Sequence, residues 1–586
     1  MAAKILVAVA WPYANGPLHV GHLAGAYLPA DIFARYQRLK GNHVLMVSGS
    51  DCHGTPIALK AEADGTQPQE VIRRYHESFL ETFRALGISF DLFTQTYTAN
   101  HYAVVQDIFR RLLEKGLLHE KSMTGCYSES LGRFLPDRFV EGTCPRCGFA
   151  SARGDQCDRC GSLYDAHQLG APRSKLDGKS ITFRPTAHYV FDLPALAPRL
   201  RDWLEGQDRS HWRENTLTYT ENWLAEGLDA RAITRDLEWG VPVPVADPKF
   251  ANKRIYVWFD AVIGYYSASI EWARRLGNPE RWRDWWTEGD VRPYYFIGKD
   301  NIPFHTIIWP AILLTHGDLA LPYDVPANEF LNLEGEKMST SRNWALWCSD
   351  IQDRYAPDQI RYYLAANAPE GRDSNWSWQD FVRRNNDELL ATWGNLANRV
   401  LQIAYREFGR IPEPGELTAE DLTIIRRVDE TFGEAGSRLD AVRLKAALQQ
   451  VMSLAQDVNR YMTEQEPWRL IKTDRRRGAT VIYTGLQLLQ SLNTLFSPFL
   501  PWTSQQLHEM LGCTGSLATQ PFIETAEDLD GKPRHILTGQ FQSEVRWKAT
   551  RLPPAQPLDK PRPLFRKLEK VVGEQELERL RTSESR

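Results

Sequence analysis

The chain reads as an α/β protein in which a parallel sheet, interrupted by an inserted cysteine-rich module, is followed by an α-helical bundle. Three observations predict this. Short apolar runs bounded by turn residues occur near the N-terminus and again around residues 256–297, four cysteines crowd a Gly- and Pro-containing stretch between them, and apolar residues take up helical spacing from about Phe381. At 586 residues the chain exceeds a single core and divides into roughly three to five units of about 100 to 200 residues.

Ile5-Leu6-Val7-Ala8-Val9 is uninterrupted apolar, as a strand buried on both faces must be, and a Pro/Asn/Gly turn leads from it into a helical pattern over Leu18 to Leu39. Val44 to Val47, Tyr256 to Phe259 and Tyr294 to Ile297 have the same buried-strand character, so the sheet is split in sequence. Its halves are expected at 1–120 and 230–325. Residues 121–229 contain few long periodic segments and are expected to form the insertion. After a connecting region at 326–380, the helical bundle is expected at 381–540. Leu389, Leu390, Trp393, Leu396, Val400 and Leu401 share one helical face, and Leu444, Leu448, Val451, Leu454, Val458 and Tyr461 share another. A third helix is expected from about Val481 to Phe496. The Pro-rich Leu552 to Pro563 reads as an extended connector before a last helix, in a C-terminal extension at 541–586 that packs back.

Composition excludes several function classes. A charged fraction of 25% and a hydrophobic fraction of 42% exclude collagen, coiled coil and wholesale disorder. Lys and Arg number 70 against 74 Asp and Glu, so the net charge of −4 provides no global field for polyanions, and any nucleic-acid surface is local. Eight cysteines are too few for a disulfide framework and favour a reducing cytoplasm. The apolar run at the N-terminus is shorter than a signal-peptide core or a membrane span, so no membrane association is expected.

Four constellations carry chemistry. In Pro12-Tyr13-Ala14-Asn15-Gly16-Pro17-Leu18-His19-Val20-Gly21-His22, a helix start offers free N–H groups to phosphates. His19 and His22, three apart, face one side and stabilise developing negative charge, while Gly21 leaves room for a flat base. In Glu336-Lys337-Met338-Ser339-Thr340-Ser341-Arg342, a loop with one lysine and several hydroxyls suits closure over a triphosphate. Cys144, Cys147, Cys157 and Cys160 form two Cys-x-x-Cys turns, a tetrahedral set for one structural zinc with no open position for catalysis; a pair of disulfides is the alternative. Cys52, Cys126, Cys348 and Cys513 are scattered and read as buried small hydrophobes. Finally, Asn395 and Arg399 lie four apart on a polar helix face and Trp468 follows Pro467 at another helix start, a combination able to read and stack on unpaired bases. Taken singly, the histidines, the Lys/Ser loop and the helix-face residues are more often core or solvated positions, whereas the paired Cys-x-x-Cys turns point to zinc by their own spacing.

Together they say more. His19-Val20-Gly21-His22 after the first strand and Lys337-Met338-Ser339-Thr340-Ser341 much later resemble the two signatures of class I aminoacyl-tRNA synthetases. The resemblance narrows to the methionyl-tRNA synthetase family through Pro12 to Gly16, Asp51-Cys52-His53-Gly54-Thr55-Pro56, Phe134-Leu135-Pro136-Asp137-Arg138-Phe139-Val140, Ile255 to Ala261, Phe296-Ile297-Gly298-Lys299-Asp300 and Glu464-Gln465-Glu466-Pro467-Trp468. It covers most of the chain.

The resemblance implies a Rossmann-like catalytic domain with a zinc-binding insertion, a mobile-loop and stem-contact region at 326–380 and a helical anticodon-binding domain. It implies that Tyr13, Trp258, Ala261, Tyr265 and His305 line a methionine side-chain pocket and that Asp51 holds the substrate ammonium. Aromatic walls suit a polarizable thioether, and a carboxylate suits an ammonium. His19, His22, Gly21, Gly298, Lys299, Asp300 and Lys337 would contact ATP, with Arg235 acting at the transition state. Asn395, Arg399 and Trp468 would read the CAU anticodon. Expected partners are L-methionine, ATP with Mg²⁺, and tRNA(Met) including the initiator, for a cytoplasmic monomer. Thr340 stands where the family commonly has a second lysine, and Trp11, Val262 and Asn301 stand where some members differ. A synthetase for Leu, Ile or Val, or a non-catalytic tRNA-binding paralogue, are the alternatives; the single knuckle leaves the insertion too small for a separate editing domain.

Overall fold

The computed structural model describes residues 2–584 except 137–138, 155–156, 158, 161–163, 165, 288, 340–342 and 542–544. Its main sheet has seven strands: β1 (Lys4–Val9), β2 (His43–Ser50), β3 (Leu92–Gln95), β4 (Val291–Gly298), β5 (Ala327–Asn328), β6 (Phe522–Glu527) and β7 (Pro533–Thr538). The spatial order is β5-β4-β1-β2-β3-β7-β6. From β5 to β3 all neighbours are parallel, whereas β7 joins β3 antiparallel at Leu537 opposite Phe93 and forms a hairpin with β6. The unbroken apolar run of β1 now has its reason. Ile5, Val7 and Val9 belong to one hydrophobic cluster and Leu6 and Ala8 to another, one on each face of the sheet.

The helix after β1 starts at Val20, passes through a π turn at Leu23–Tyr27 and continues as α1 (Leu28–Lys40). Pro29 has no N–H to give, and the carbonyl of Gly25, four residues earlier, instead accepts the Asn328 Nδ2 donor at 2.7 Å. On the opposite face lie α2 (Ala99–Glu114) and α3 (Val257–Arg275). The expected strand at Tyr256 to Phe259 is therefore corrected: Tyr256 caps α3 and the next three residues are its first turn. A four-residue apolar run cannot separate a buried strand from a buried helix, and here the 19-residue length of the helix decides.

Between β3 and β4, an antiparallel pair Leu118–Ser128 with Thr182–Phe191 extends out and carries a three-stranded sheet of Val140–Thr143, Ala152–Arg153 and Gly170–Ser174. That small sheet has its own cluster around Phe139, Val140, Cys144 and Cys157. Helices Leu193–Glu205 and Glu214–Glu226 return to the main body, burying Leu196, Leu200 and Leu224 in the same cluster as α3.

The C-terminal part contains α4 (Pro357–Ala366), α5 (Asn395–Phe408), α6 (Ala419–Asp440), α7 (Leu444–Glu464), α8 (Pro467–Thr473), α9 (Arg475–Phe496) and α10 (Val571–Glu584). It is not helical throughout, since 522–538 supplies β6 and β7 to the sheet. Sheet and bundle are clamped by Arg361 on α4. Its guanidinium is 2.6 Å from Asp31 on α1 and donates to the carbonyls of Leu86, Pro498 and Phe499 at 2.9–3.1 Å. Burial works against the Asp31 charge, but Arg35, Arg361 and Ser89 outweigh it and hold the carboxyl below its ordinary value. The Pro-rich connector runs beside Ile411, which exchanges backbone hydrogen bonds with Ala555 and Gln556, and α10 closes on Arg354 through Glu576 at 2.8 Å. Among the described residues no helix is long and apolar enough to cross a membrane.

Candidate active site

The chain leaves β1 toward one side of the sheet and β4 toward the other, and a cavity of about 800 Å³ opens at the carboxyl ends of this adjacent pair. Parallel strands all end on the same edge, so their following loops converge there. Trp11 to His22 come from β1, Asp51 from β2, Gly298 to His305 from β4; α3 adds Trp258, Ala261, Val262 and Tyr265.

His19 and His22 cap the helix reciprocally. Gly21 N–H donates to His19 Nδ1 at 3.1 Å and His19 N–H to His22 Nδ1 at 3.2 Å, with the rings 3.9 Å apart. Burial pushes His19 well below the ordinary imidazole value, aided by His22, and pushes His22 down to about 4. Both rings are neutral at pH 7. With each Nδ1 accepting, each proton sits on Nε2, which leaves two N–H donors that cost no charge to bury. Gly21 serves this cap more directly than the expected room for a base. A Cβ there would lie 2.8 Å from His19 Nδ1 and Cε1 and 3.1 Å from Met338 Cε.

A hairpin that turns at Glu334 and Gly335 brings Lys337 and Met338 of the second signature to this site. Glu334 and Gly335, both at positive φ, turn the chain between Leu333 and Glu336; Ser339 and Trp344 exchange backbone hydrogen bonds. Val20 N–H donates to Leu346 O at 3.0 Å and Cys348 N–H to Leu18 O at 2.8 Å, which fastens the hairpin base to the histidine turn. Lys337 Nζ stands 4.8 Å from the Phe330 ring centroid and Lys299 Nζ 4.3 Å from it, so one aromatic face gathers both cations. Thr340, Ser341 and Arg342 lie outside the described residues.

Tyr13, Asp51, Trp258, Ala261, Tyr265 and His305 all line the cavity, as do Trp11, Val262 and Asn301. Trp258 Nε1 donates to the Tyr13 hydroxyl, and Phe304 packs edge-on to Trp258 at 4.2 Å. His305 Nδ1 donates to Asn301 O at 2.9 Å, so its Nε2 accepts the Tyr265 hydroxyl at 2.7 Å; burial lowers this imidazole to about 4. Trp11 fills the space between Gly49 and Gly264, where a Cβ would come within 2.2 Å and 2.6 Å of its ring. The result is a neutral aromatic pocket beside the carboxyl of Asp51, which burial and then the charge of Asp260 raise well above the ordinary aspartate value.

Of the residues expected at ATP, Gly21, Gly298, Asp300 and Lys337 line this cavity. Lys299 turns to Glu329 at 2.5 Å and Asp373 at 3.0 Å. Arg235 does not line it. Its guanidinium lies 4.1 Å from the Tyr256 ring centroid and borders an adjoining cavity of about 420 Å³ that shares the Tyr13 and Trp258 wall.

Away from the cavity, the ligand atoms of Cys144, Cys147, Cys157 and Cys160 lie within 4.8 Å of one another, with Cys144 Sγ to Cys160 Sγ 3.8 Å and Cys147 Sγ to Cys157 Sγ 3.6 Å. A tetrahedron of about 2.3 Å zinc–sulfur bonds has an edge of about 3.8 Å, so the set fits the metal. The N–H groups of Arg146 and Cys147 point at Cys144 Sγ at 3.4 Å and 3.5 Å, as suits a thiolate. None of the eight cysteines is in a disulfide, which removes that alternative; Cys52, Cys126 and Cys348 are buried as expected, but Cys513 is only half-buried. In the bundle, Asn395 is exposed on α5 and Arg399 is half-buried, its Cζ 5.8 Å from the Trp468 ring. Arg399 Nη2 also donates to Asn459 Oδ1 at 3.3 Å. Glu466, at φ +41° before Pro467, makes the sharp turn that starts α8.

Residues 5–401 match the family model described as tRNA synthetases class I (M), and residues 411–531 match the anticodon binding domain of methionyl tRNA ligase. The chain belongs to the class I methionyl-tRNA synthetases. Relatives include the methionine–tRNA ligase of Roseiflexus castenholzii, 64% identical with 99% of each chain covered, and that of Roseiflexus sp. (strain RS-1), 63% identical over the same shares. A Mycobacterium tuberculosis methionyl-tRNA synthetase in complex with methionyl-adenylate is similar at TM-score 0.75 and 26% identity, covering 96% of this chain and all of that one.

For a methionyl-tRNA synthetase, the cavity also contains residues that sequence reasoning missed. Phe304, Phe330, Glu329 and Trp347 line it without belonging to any motif, and His53, His101 and Asp260 lie behind it. Phe304 lies three residues after Asn301, so a helical-spacing argument from Asn301 could have found it. Nothing local marks Phe330 or His101, because their partners are far away in sequence.

Proposed function

We propose that the chain activates L-methionine with ATP to methionyl-adenylate and transfers the methionyl group to tRNA(Met), with the main cavity as the site of both steps. The observation that carries this reading is one cavity joining a neutral aromatic pocket and a buried carboxyl to two imidazole donors at a helix start. In it, Asp51 takes the substrate ammonium, and Tyr13, Trp258, Ala261, Tyr265 and His305 enclose the thioether. The methionine carboxylate attacks the α-phosphorus in line; a C–O–P linkage forms, the bond to the β-phosphate bridging oxygen breaks, and pyrophosphate leaves. His19 and His22 donate through Nε2 to phosphate oxygens as charge builds on them. Gly21 and Gly298 let the His19 ring and the Asp300 carboxylate sit close to the backbone beside the nucleotide, Lys299 and Lys337 neutralise its phosphates, Asp300 accepts hydrogen bonds from it, and Arg235 acts at the transition state from the adjoining cavity. Magnesium entering with ATP supplies further neutralisation. In the second step a hydroxyl of the terminal ribose of tRNA attacks the acyl carbon and AMP departs.

Beyond the cavity, we assign Cys144, Cys147, Cys157 and Cys160 to one structural zinc that stiffens the insertion, and Asn395, Arg399 and Trp468 to the anticodon of tRNA(Met), initiator included. Free thiols and a thiolate metal set suit the cytoplasm, and we assign the active form as a monomer. Methionine-dependent exchange between pyrophosphate and ATP tests the central claim. Exchange driven equally by leucine, isoleucine or valine would point to a sister synthetase, and no exchange with any amino acid, alongside tRNA binding, would point to a non-catalytic paralogue.

A further inference from the structure

Behind the cavity floor lies a polar layer to which none of these roles gives a task. Asp260 sits on α3 between Trp258 and Ala261, yet its carboxylate is wholly buried against His53, from the turn after β2, and near His101 on α2. His53 Nδ1 donates to Asp260 Oδ2 at 3.0 Å, while the His53 backbone N–H donates to Asp51 Oδ1 at 3.3 Å. One residue therefore ties together two buried carboxyl groups. His53 Nε2 lies 3.1 Å from the Tyr102 hydroxyl, which completes its pairing.

His101 approaches from the other side. Its Nδ1 is 2.8 Å from Ser267 Oγ, whose hydroxyl hydrogen goes to the Gly264 carbonyl at 3.0 Å, so Ser267 accepts and His101 is the donor. His101 Nε2 then faces Asp260 Oδ1 at 3.8 Å, and neither atom has a hydrogen-bond partner among the described residues. Oδ1 of Asp260 thus has no hydrogen bond among the described residues, and in so buried a layer an anion acts over a longer range than in water. Burial opposes that anion, but His53 outweighs it and holds Asp260 below the ordinary aspartate value; Asp51, in contrast, is raised. The other titratable groups facing the pair are Tyr13, Tyr265 and Cys52 toward Asp51 and Tyr102 toward Asp260, with Arg254 beyond Tyr102. Burial raises all three phenols and the thiol, which stay uncharged at neutral pH.

We propose that Asp260, fixed by His53, is a positioning residue for amino-acid activation: a second buried anion that tightens the hold of the Asp51 site on the substrate ammonium and locks α3 to the Asp51 turn. This rests on the reading that Asp51 receives the ammonium. An arriving cation then answers two negative charges while only Asp51 touches it.

The test compares equilibrium binding of L-methionine and of 4-(methylthio)butyrate, which lacks the ammonium, to the wild type, Asp51→Asn and Asp260→Asn between pH 5 and 8. Asp260→Asn is expected to weaken methionine about tenfold at pH 7.5 and change the des-amino ligand by less than about twofold. The pH profile gives a second signature. Methionine needs Asp51 ionised, so affinity falls as pH falls through the raised Asp51 value, and removing the Asp260 charge is expected to move that limb down by about one pH unit. A packing defect would weaken both ligands alike and leave the limb in place. That outcome, or no change at all, overturns the proposal while a strong effect of Asp51→Asn leaves the ammonium site standing. If Asp51→Asn binds methionine as tightly as the wild type, the ammonium reading itself fails, and the proposal with it. Should Asp260→Asn lose its native melting transition, His53→Leu serves the same test: it removes the hydrogen bond that keeps Asp260 ionised and is expected to act in the same direction.

Discussion

Replacing Gly21 by Ala tests whether the histidine pair works through its geometry. The added Cβ would lie 2.8 Å from His19 Cε1 and Nδ1, well inside the 3.4 Å at which ordinary contact begins, so the ring must move by about half an ångström or more. The other close atom, Met338 Cε at 3.1 Å, belongs to the hairpin at this site and limits the escape route. Movement of His19 breaks the hydrogen bond from Gly21 N–H to Nδ1, and with it the constraint that keeps the proton on Nε2. A misplacement of about 1 Å costs on the order of a hundredfold in rate, so adenylate formation is expected to fall about ten- to hundredfold. Stability is expected to stay within about 1 kcal/mol, since alanine favours the helix by about 0.5–1 kcal/mol and the lost cap costs about 1 kcal/mol. Single-turnover adenylate formation and urea melts of the same samples separate the two quantities. Wild-type rates, or a rate loss matched by a large loss of stability, would refute the argument that Gly21 is required by the His19 ring.

Lys337→Ala is expected to slow adenylate formation by at least about tenfold with little change in methionine affinity, read by burst kinetics, because it removes one of the two cations gathered at Phe330. Trp468→Ala is expected to lower tRNA charging about ten- to hundredfold, from about 1 to 3 kcal/mol of stacking, and to leave pyrophosphate exchange unchanged; a parallel loss of both would make Trp468 a packing residue. Metal analysis is expected to find one zinc per chain, and Cys157→Ser to lose it and expose the insertion to protease. Arg361→Met is expected to destabilise the protein by about 3 kcal/mol, because it leaves the wholly buried Asp31 with Arg35 as its one cation among the described residues, beside the Ser89 donors. As the folded Asp31 lies below its unfolded value, its contribution is complete above that unfolded value and lost as pH falls through the folded one. Arg361→Met raises the folded value, so in melts against pH the variant is expected to lose stability at higher pH than the wild type.

What the sequence determined by itself is local. Ile5 to Val9 announced a strand because an element buried on both faces has no polar positions, and the face of Leu444 to Tyr461 announced a helix because its period is 3.6. The four metal-type cysteines were legible for a similar reason, since two-residue spacings close a coordination sphere without distant help. Where sequence neighbours could not decide, tertiary structure did. Tyr256 to Phe259 satisfies a buried strand and a buried helix equally, and only its place against β2 and α2 makes it the start of α3. Phe522 to Thr538 carries no strong signal of its own, yet it completes the sheet because β3 leaves an unpaired edge. The protonation of the site was equally hidden: the His19 and His22 tautomers follow from backbone donors and burial, and the raised Asp51 from its burial and then from Asp260 across the fold. Periodicity and spacing are properties of a short segment, whereas desolvation and charge coupling depend on groups hundreds of residues apart that only the folded topology brings within a few ångströms.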